Sequence, residues 1–254
     1  MGYHNSSKVF FSLFHLFSWS LVLMSFLEMN GKKWYLVLSI LILSITPIAI
    51  KGSAELNIDN SVGVLFTSLL CFSLLVYQYT NKKTFLNYLF VSLSCLTFGF
   101  GKTEWSVGFA ISFIIAIFLS IIIEKKIDIK LLFAVIIGII LGNFINYLVS
   151  PYNYLDGLHL LNWYFKSQIA SKNVSSNASI VTTWLDLNLQ RLPETLPIII
   201  LILFNAFLLF MNLRKTDFTT IFLFILSSSL FFAFSLNTFS TASRYFLPSF
   251  FSCV

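Results

Sequence analysis

The sequence predicts an all-α fold, a polytopic transmembrane helical bundle, and three observations carry that prediction. The first is composition. Of 254 residues, 57% are hydrophobic and only 10% charged, with 30 Phe and a mean hydropathy of +0.87. Soluble domains carry about 25% charged residues, so this chain has too little polar surface to cover a water-exposed fold. The same numbers exclude disorder, collagen and low-complexity linkers. The second observation is the recurrence of apolar runs, most of them near the roughly 20 residues that cross a hydrocarbon core. The third is that doubled lysines occupy every other connection between those runs, which is how topology is encoded.

The elements follow in order. Val9–Leu27 opens the chain as a retained helix: its apolar run is long for a signal peptide, and Leu27-Glu28-Met29 offers no small-x-small cleavage site. Trp34–Ile50 follows, with Pro47 near its end, where neighbouring helices or water can re-satisfy the backbone. Ser61–Tyr79, Phe85–Phe100, Trp105–Ile123 and Leu131–Val149 are four further spans. A polar stretch, Ser150–Glu194, then interrupts the pattern as one long external loop. Within it, Val181–Leu192 mixes apolar and polar residues as an interfacial helix lying on the membrane does. Leu196–Met211 and Phe218–Leu236 are two more spans, and Tyr245–Val254 begins a ninth that is cut short. The expectation is one integral-membrane domain over residues 1–254 with about eight full spans plus a truncated ninth.

Charge sets the orientation. Lys32/Lys33, Lys82/Lys83, Lys125/Lys126/Lys130 and Arg214/Lys215 account for nine of the 16 basic residues and lie in one set of connections. The alternate short segments hold Lys8, Lys51, Lys102 and Arg244, one each. The positive-inside rule puts the doubled lysines in the cytoplasm and the N-terminus and long loop outside. The net charge of +6 is therefore mostly a topology signal, and nucleic acid drops out as a partner. Three sequons, beginning at Asn5, Asn173 and Asn177, fall on the outer side, and the three cysteines have no metal spacing.

No Walker loop, dinucleotide fingerprint, HExxH or GxSxG occurs, which leaves the polar groups of the outer face. Glu55 and Asp59 are four apart, so a helical turn would put both carboxylates on one side. Such a pair suits a metal or a general base, and equally a solvated loop in which Asp59-Asn60-Ser61 caps the next helix. Lys102 and Glu104 stand in a very short link between two apolar helices, where ionisable groups are costly and default to function. A hairpin with glycine supplying a positive φ, a snorkelling lysine and Trp105 in the aromatic belt accounts for the same residues. Arg244 starts a helix on the outer side, where its fork suits a lipid phosphate, or anchors the interface beside Tyr245. Tyr152, Tyr154, Trp163, Tyr164 and Trp184 of the long loop suit stacking on sugar rings or an aromatic belt.

Taken in order, Leu43-Ser44-Ile45-Thr46-Pro47 ahead of Glu55 and Asp59, then Gly101-Lys102-Thr103-Glu104-Trp105, then Arg244-Tyr245-Phe246-Leu247-Pro248 resemble the GT-C superfamily of integral-membrane glycosyltransferases. The branch is the one holding protein O-mannosyltransferases and aminoarabinose transferases, and the likeness covers most of the chain. It implies transfer of a sugar, with inversion, from a polyprenyl-phosphate donor to a lipid, glycan or protein hydroxyl on the external face. By that resemblance Lys102, Arg244 and Tyr245 bind the donor phosphate, and Glu55, Asp59 and Glu104 line the catalytic site. It implies a bacterial inner or plasma membrane and leaves a divalent metal as an open cofactor. The family places its principal acid in an outer loop after a first span that starts in the cytoplasm. Here the N-terminus reads as external, so the expectation is a fragment or a divergent member.

Two other classes remain. A lipid or glycan flippase or transporter would place ionisable residues mid-span along a pathway, whereas these spans carry Ser, Thr, Asn and one His15. A non-catalytic subunit of an envelope-glycan assembly complex is consistent with the absent acidic loop.

Overall fold

The computed structural model describes residues 12–14, 16–24, 58–101, 103–123, 126–149, 180–212 and 216–235. Among them all regular structure is helical. A stretch over Ser12–Met24 is followed by α1 (Ile58–Tyr79), α2 (Phe85–Phe100), α3 (Thr103–Ile122), α4 (Ile129–Val149), α5 (Ile180–Met211) and α6 (Phe218–Ser235). Expected spans and observed helices coincide over α2, and α1, α3, α4 and α6 differ from theirs by three residues or fewer at each end. Trp34–Ile50 and Tyr245–Val254 lie outside the described residues.

Local chemistry sets the helix starts at one end of the bundle. Asp128 precedes α4 and its Oδ1 accepts the backbone N–H of Lys130 at 2.9 Å. Asp217 precedes α6 and its Oδ1 accepts the N–H of Thr220 at 3.0 Å. At α2, Asn87 Oδ1 accepts from both the backbone N–H and the hydroxyl of Thr84, at 2.9 and 2.8 Å. Each satisfies a donor that the first turn leaves open.

The polar segment 180–194 departs from expectation. Rather than a separate interfacial helix, Val181–Leu192 is the first part of α5, which runs unbroken through Pro193 and Pro197. The external loop read as about 150–194 therefore gives way to helix at Ile180. Each proline removes one backbone donor, and Thr195 and Ile198 between and beyond them are buried in the bundle, so tertiary contact carries the helix through. At 32 residues and 1.5 Å per residue, α5 is about 48 Å long, well beyond an ~30 Å hydrocarbon core.

α2 packs most extensively on α4, α3 on α6, and α1 on α2. Gly138 of α4 faces Ser92 and Cys95, and Gly142 faces Leu96, Gly99 and Phe100, so α2 and α4 run parallel. A methyl placed on Gly138 would lie 2.2 Å from the Ser92 carbonyl oxygen, and one on Gly142 2.3 Å from that of Leu96. This is the small-xxx-small contact of closely approaching helices. The α3–α6 pair is held by aromatic rings: Phe109 meets Phe222 edge-on at 5.1 Å and Phe98 at 5.3 Å, and Phe113 meets Phe222 at 5.5 Å. The core continues through Leu70, Leu74, Val91, Leu131, Val135 and Leu226.

Burial is distributed unlike that of a soluble bundle. Every buried polar residue described is a serine or threonine: on α1 Thr67, Ser68 and Ser73, on α3 Ser106, Ser112 and Ser120, and others on α2, α5, α6 and at Ser18. Most return a hydrogen bond to a carbonyl three or four residues back, as Ser112 does to Gly108. The exterior, by contrast, is lined with large apolar side chains along α3, α4 and α5. Among the described helices α4 alone is both long and apolar enough to cross a membrane, and only 22% of its apolar stretch is buried. Phe85–Phe100, Ser106–Ile122 and Thr195–Met211 are shorter apolar segments, so full membrane length is reached at one expected span rather than at each.

Candidate functional site

The end of α1 meets the start of α2 at Asp128, α4 runs parallel to α2, and the Phe109–Phe222 and Phe113–Phe218 pairs set α6 antiparallel to α3, so the starts of α1 and α3 lie at one end and those of α2, α4 and α6 at the other. The first end holds two of the candidate positions. Asp59 stands in the first turn of α1 and Glu104 in that of α3, and both helices pack on α2 and on α6. The backbone therefore brings these two carboxylate-bearing positions to the same end of the bundle. Glu55, Lys102, Arg244 and Tyr245 lie outside the described residues, as do the five aromatics of the long loop other than Trp184.

The short link between α2 and α3 is anchored from three sides. Gly101 N–H donates to Phe98 O at 3.2 Å, Asn146 Nδ2 of α4 donates to Gly101 O at 2.9 Å, and Ser106 Oγ donates to Gly99 O at 3.3 Å. Gly101 has φ −65°, so the expected positive φ is not what its turn uses. Gly99 is needed for a different reason: a methyl there would stand 2.8 Å from the Ile139 carbonyl oxygen. The result is a link whose Gly101 end is held against α4, with α3 starting at Thr103.

The opposite end carries a network that the sequence reading did not find. Tyr77 of α1 and Tyr88 of α2 both donate their phenolic protons to Oδ2 of Asp128, at 2.6 and 2.7 Å. Their rings lie 5.7 Å apart. Lys83, in the turn between them, sits 4.4 Å over the Tyr77 ring and donates to the carbonyls of Tyr77, Gln78 (3.1 Å) and Thr80 (2.6 Å). It thereby satisfies the open carbonyls that end α1. Across the bundle, Thr219 Oγ1 of α6 lies 3.1 Å from both Gln78 Oε1 and Asp217 Oδ1 and shares its one proton between them. Four helices, α1, α2, α4 and α6, are thus tied by side chains at this end.

The charges respond to this setting. Burial pushes the Asp128 carboxyl upward, but the hydroxyls of Tyr77 and Tyr88 and the N–H groups of Lys130 and Leu131 outweigh it and hold the group below the ordinary aspartate value. Burial lowers Lys83, only partly offset by the carboxylates of Asp217 and Asp128. With both Asp128 oxygens occupied by donors, this network fits a structural tie rather than a base. The signal was present in the sequence. Asp128 directly precedes an apolar run, and Tyr77 and Tyr88 each lie within one turn of a span end, where a phenol reaches polar partners.

No family model, no curated protein and no solved structure matches this chain. Among the described residues no group of three or more His, Cys, Asp or Glu could hold a metal ion. Cys95 is buried where α2 meets Gly138, packing as a small apolar group.

Proposed function

We propose that the chain is a multi-pass membrane protein of about eight full spans, with its lysine-rich end in the cytoplasm. The observation that carries this reading is the inverted burial. Large apolar side chains such as Phe118, Phe133, Phe144, Leu203 and Phe210 are exposed, far beyond the patch a soluble monomer leaves uncovered. The polar side chains inside are hydroxyls that bond their own helix, as in helix packing within lipid. Alkaline carbonate extraction of expressing cells is the first test, and recovery in the soluble fraction would refute it. Asn57→Cys is expected to react with an impermeant maleimide from outside and Lys126→Cys only after permeabilisation.

On the outer end, the reading is a GT-C-like glycosyltransferase that moves a sugar from a polyprenyl-phosphate donor to a lipid, glycan or protein hydroxyl. Its support is the order of the three sequence motifs and the common end at which helix alternation sets Asp59 and Glu104. Lys102, Arg244 and Tyr245 would neutralise the departing phosphate, and Glu55, Asp59 or Glu104 would take the acceptor proton. That the described buried polar groups are hydroxyls favours transfer at a surface over an ion-coupled pathway. In membranes supplied with a polyprenyl-phosphate sugar, Lys102→Ala and Arg244→Ala are each expected to cut transfer on the order of 100-fold at unchanged protein level. Full transfer by both variants would reject the site.

A further inference from the structure

The lysine-rich end has more positive charge than its own acids can use. Lys82, Lys83, Lys126 and Lys130 are all exposed there. The two described carboxylates among them, Asp128 and Asp217, are both occupied as helix caps: Asp128 also by two phenols, Asp217 also by two threonine hydroxyls. Lys83 is committed to the end of α1 through three carbonyls. Lys82, Lys126 and Lys130 make no side-chain hydrogen bond or ion pair among the described residues. They are gathered by the Asp128 node: Lys126 and Lys130 flank it by two residues each, and Lys82 adjoins Lys83 in the turn that joins its two phenol partners.

Immediately beyond these lysines, the first two turns of α2 and α4 carry large uncovered apolar side chains. Phe85 is 76% exposed, Leu86 70%, Ile129 67% and Phe133 61%. Because α2 and α4 run parallel, both apolar faces begin at the same level and continue in the same direction from the charged rim. A cationic rim above two apolar helix faces matches one kind of molecule in shape and charge. We propose that Lys82, Lys126 and Lys130 form the headgroup site of an anionic phospholipid, whose acyl chains lie along the exposed faces of α2 and α4. A zwitterionic headgroup brings an ammonium beside its phosphate, and the same lysines repel it. The proposal rests on the membrane reading above, but not on the transferase reading.

The test uses the full chain purified in a neutral detergent, titrated with phosphatidylglycerol or phosphatidylcholine of identical acyl chains and read by native mass spectrometry. At about fivefold per lysine, the wild type is expected to prefer phosphatidylglycerol on the order of 100-fold. The variant K82Q/K126Q/K130Q should bind the two lipids alike, and K82R/K126R/K130R should keep the preference, which separates charge from folding. K8Q/K166Q/K172Q, with the same change in net charge elsewhere, should also keep it. No preference in the wild type, retention by the glutamine variant, or equal loss in the matched control would overturn the site. Inorganic phosphate displacing phosphatidylglycerol at equal concentration would overturn the part assigned to the acyl chains. Failure of the membrane reading shows separately, as a chain that alkaline carbonate releases.

Discussion

Gly138→Ala is the most informative single change, because local propensity and packing predict opposite signs. Alanine is favoured over glycine in a helix interior by about 1 kcal/mol. At Gly138, however, the new methyl meets the Ser92 carbonyl oxygen at 2.2 Å and Cys95 Cβ at 2.8 Å. Restoring 3.0 Å to the Ser92 oxygen, the closest ordinary approach, requires the α2 and α4 backbones to part by about 0.8 Å. The obstructing atom is backbone, so no rotamer change relieves it. Overpacking of this kind costs ~1–3 kcal/mol, and separation also loosens the contacts at Gly142, 2.3 Å from Leu96 O by the same measure. Gly108 of α3 is the control, since a methyl there meets nothing within 4 Å. Set against the propensity gain of about 1 kcal/mol, the net loss reaches ~2 kcal/mol, so thermal unfolding in detergent should place Gly138→Ala up to about 8 °C below wild type, at about 2–4 °C per kcal/mol for a chain of this size. Gly108→Ala should fall at or slightly above wild type. A Gly138→Ala protein as stable as the Gly108→Ala protein would refute the close α2–α4 contact, because both gain the same helix propensity and only the packing cost separates them.

Two further outcomes test the tie at the lysine-rich end. Asp128→Asn leaves one oxygen for the two phenols and the α4 cap, and should cost about 1–3 kcal/mol, with Tyr88→Phe costing less. Because the folded Asp128 value lies below its unfolded one, its stabilisation is fully present above the unfolded value near pH 4 and is lost as pH falls through the lower folded value. The stability difference between wild type and Asp128→Asn should therefore be flat from pH 7 to 5 and shrink below about pH 4. A difference that grew on acidification would contradict the assignment. Thr219→Val keeps the shape of a buried side chain but removes the bridge from Gln78 to Asp217, and should lower the melting temperature by about 2–4 °C.

The helices were legible wherever an apolar run ended at a residue with its own local reason to end it. Asp128, Asp217 and Thr84 are caps whose chemistry is written in the chain; the starts of α2 and α6 were found from sequence, and that of α4 to within two residues. α5 was not. Its first half is polar and two prolines follow, so period and propensity both argue for a break near Leu192. The helix persists because Thr195 and Ile198 are buried against other elements, and that burial is a property of partners a single segment does not display.

The same distinction divides the two ends of the bundle. The candidate residues stood out because Glu55 and Asp59 are four apart, Lys102 and Glu104 stand in a very short link between apolar runs, and Arg244 falls in a segment where the positive-inside rule disfavours a base, each a feature that a one-dimensional rule flags. The Asp128 node escaped for the opposite reason: each member is ordinary at its own position. Tyr77 and Tyr88 pass for interfacial tyrosines, Lys83 for a topology lysine and Asp128 for a loop acid. The parallel packing of α2 on α4, close at Gly138 and Gly142, together with that of α1 on α2, brings Tyr77 and Tyr88, 51 and 40 positions from Asp128, onto one carboxylate oxygen. The close glycine contact and the charged node are therefore one device. If the α2–α4 separation grows, the Tyr88–Asp128 distance lengthens with it.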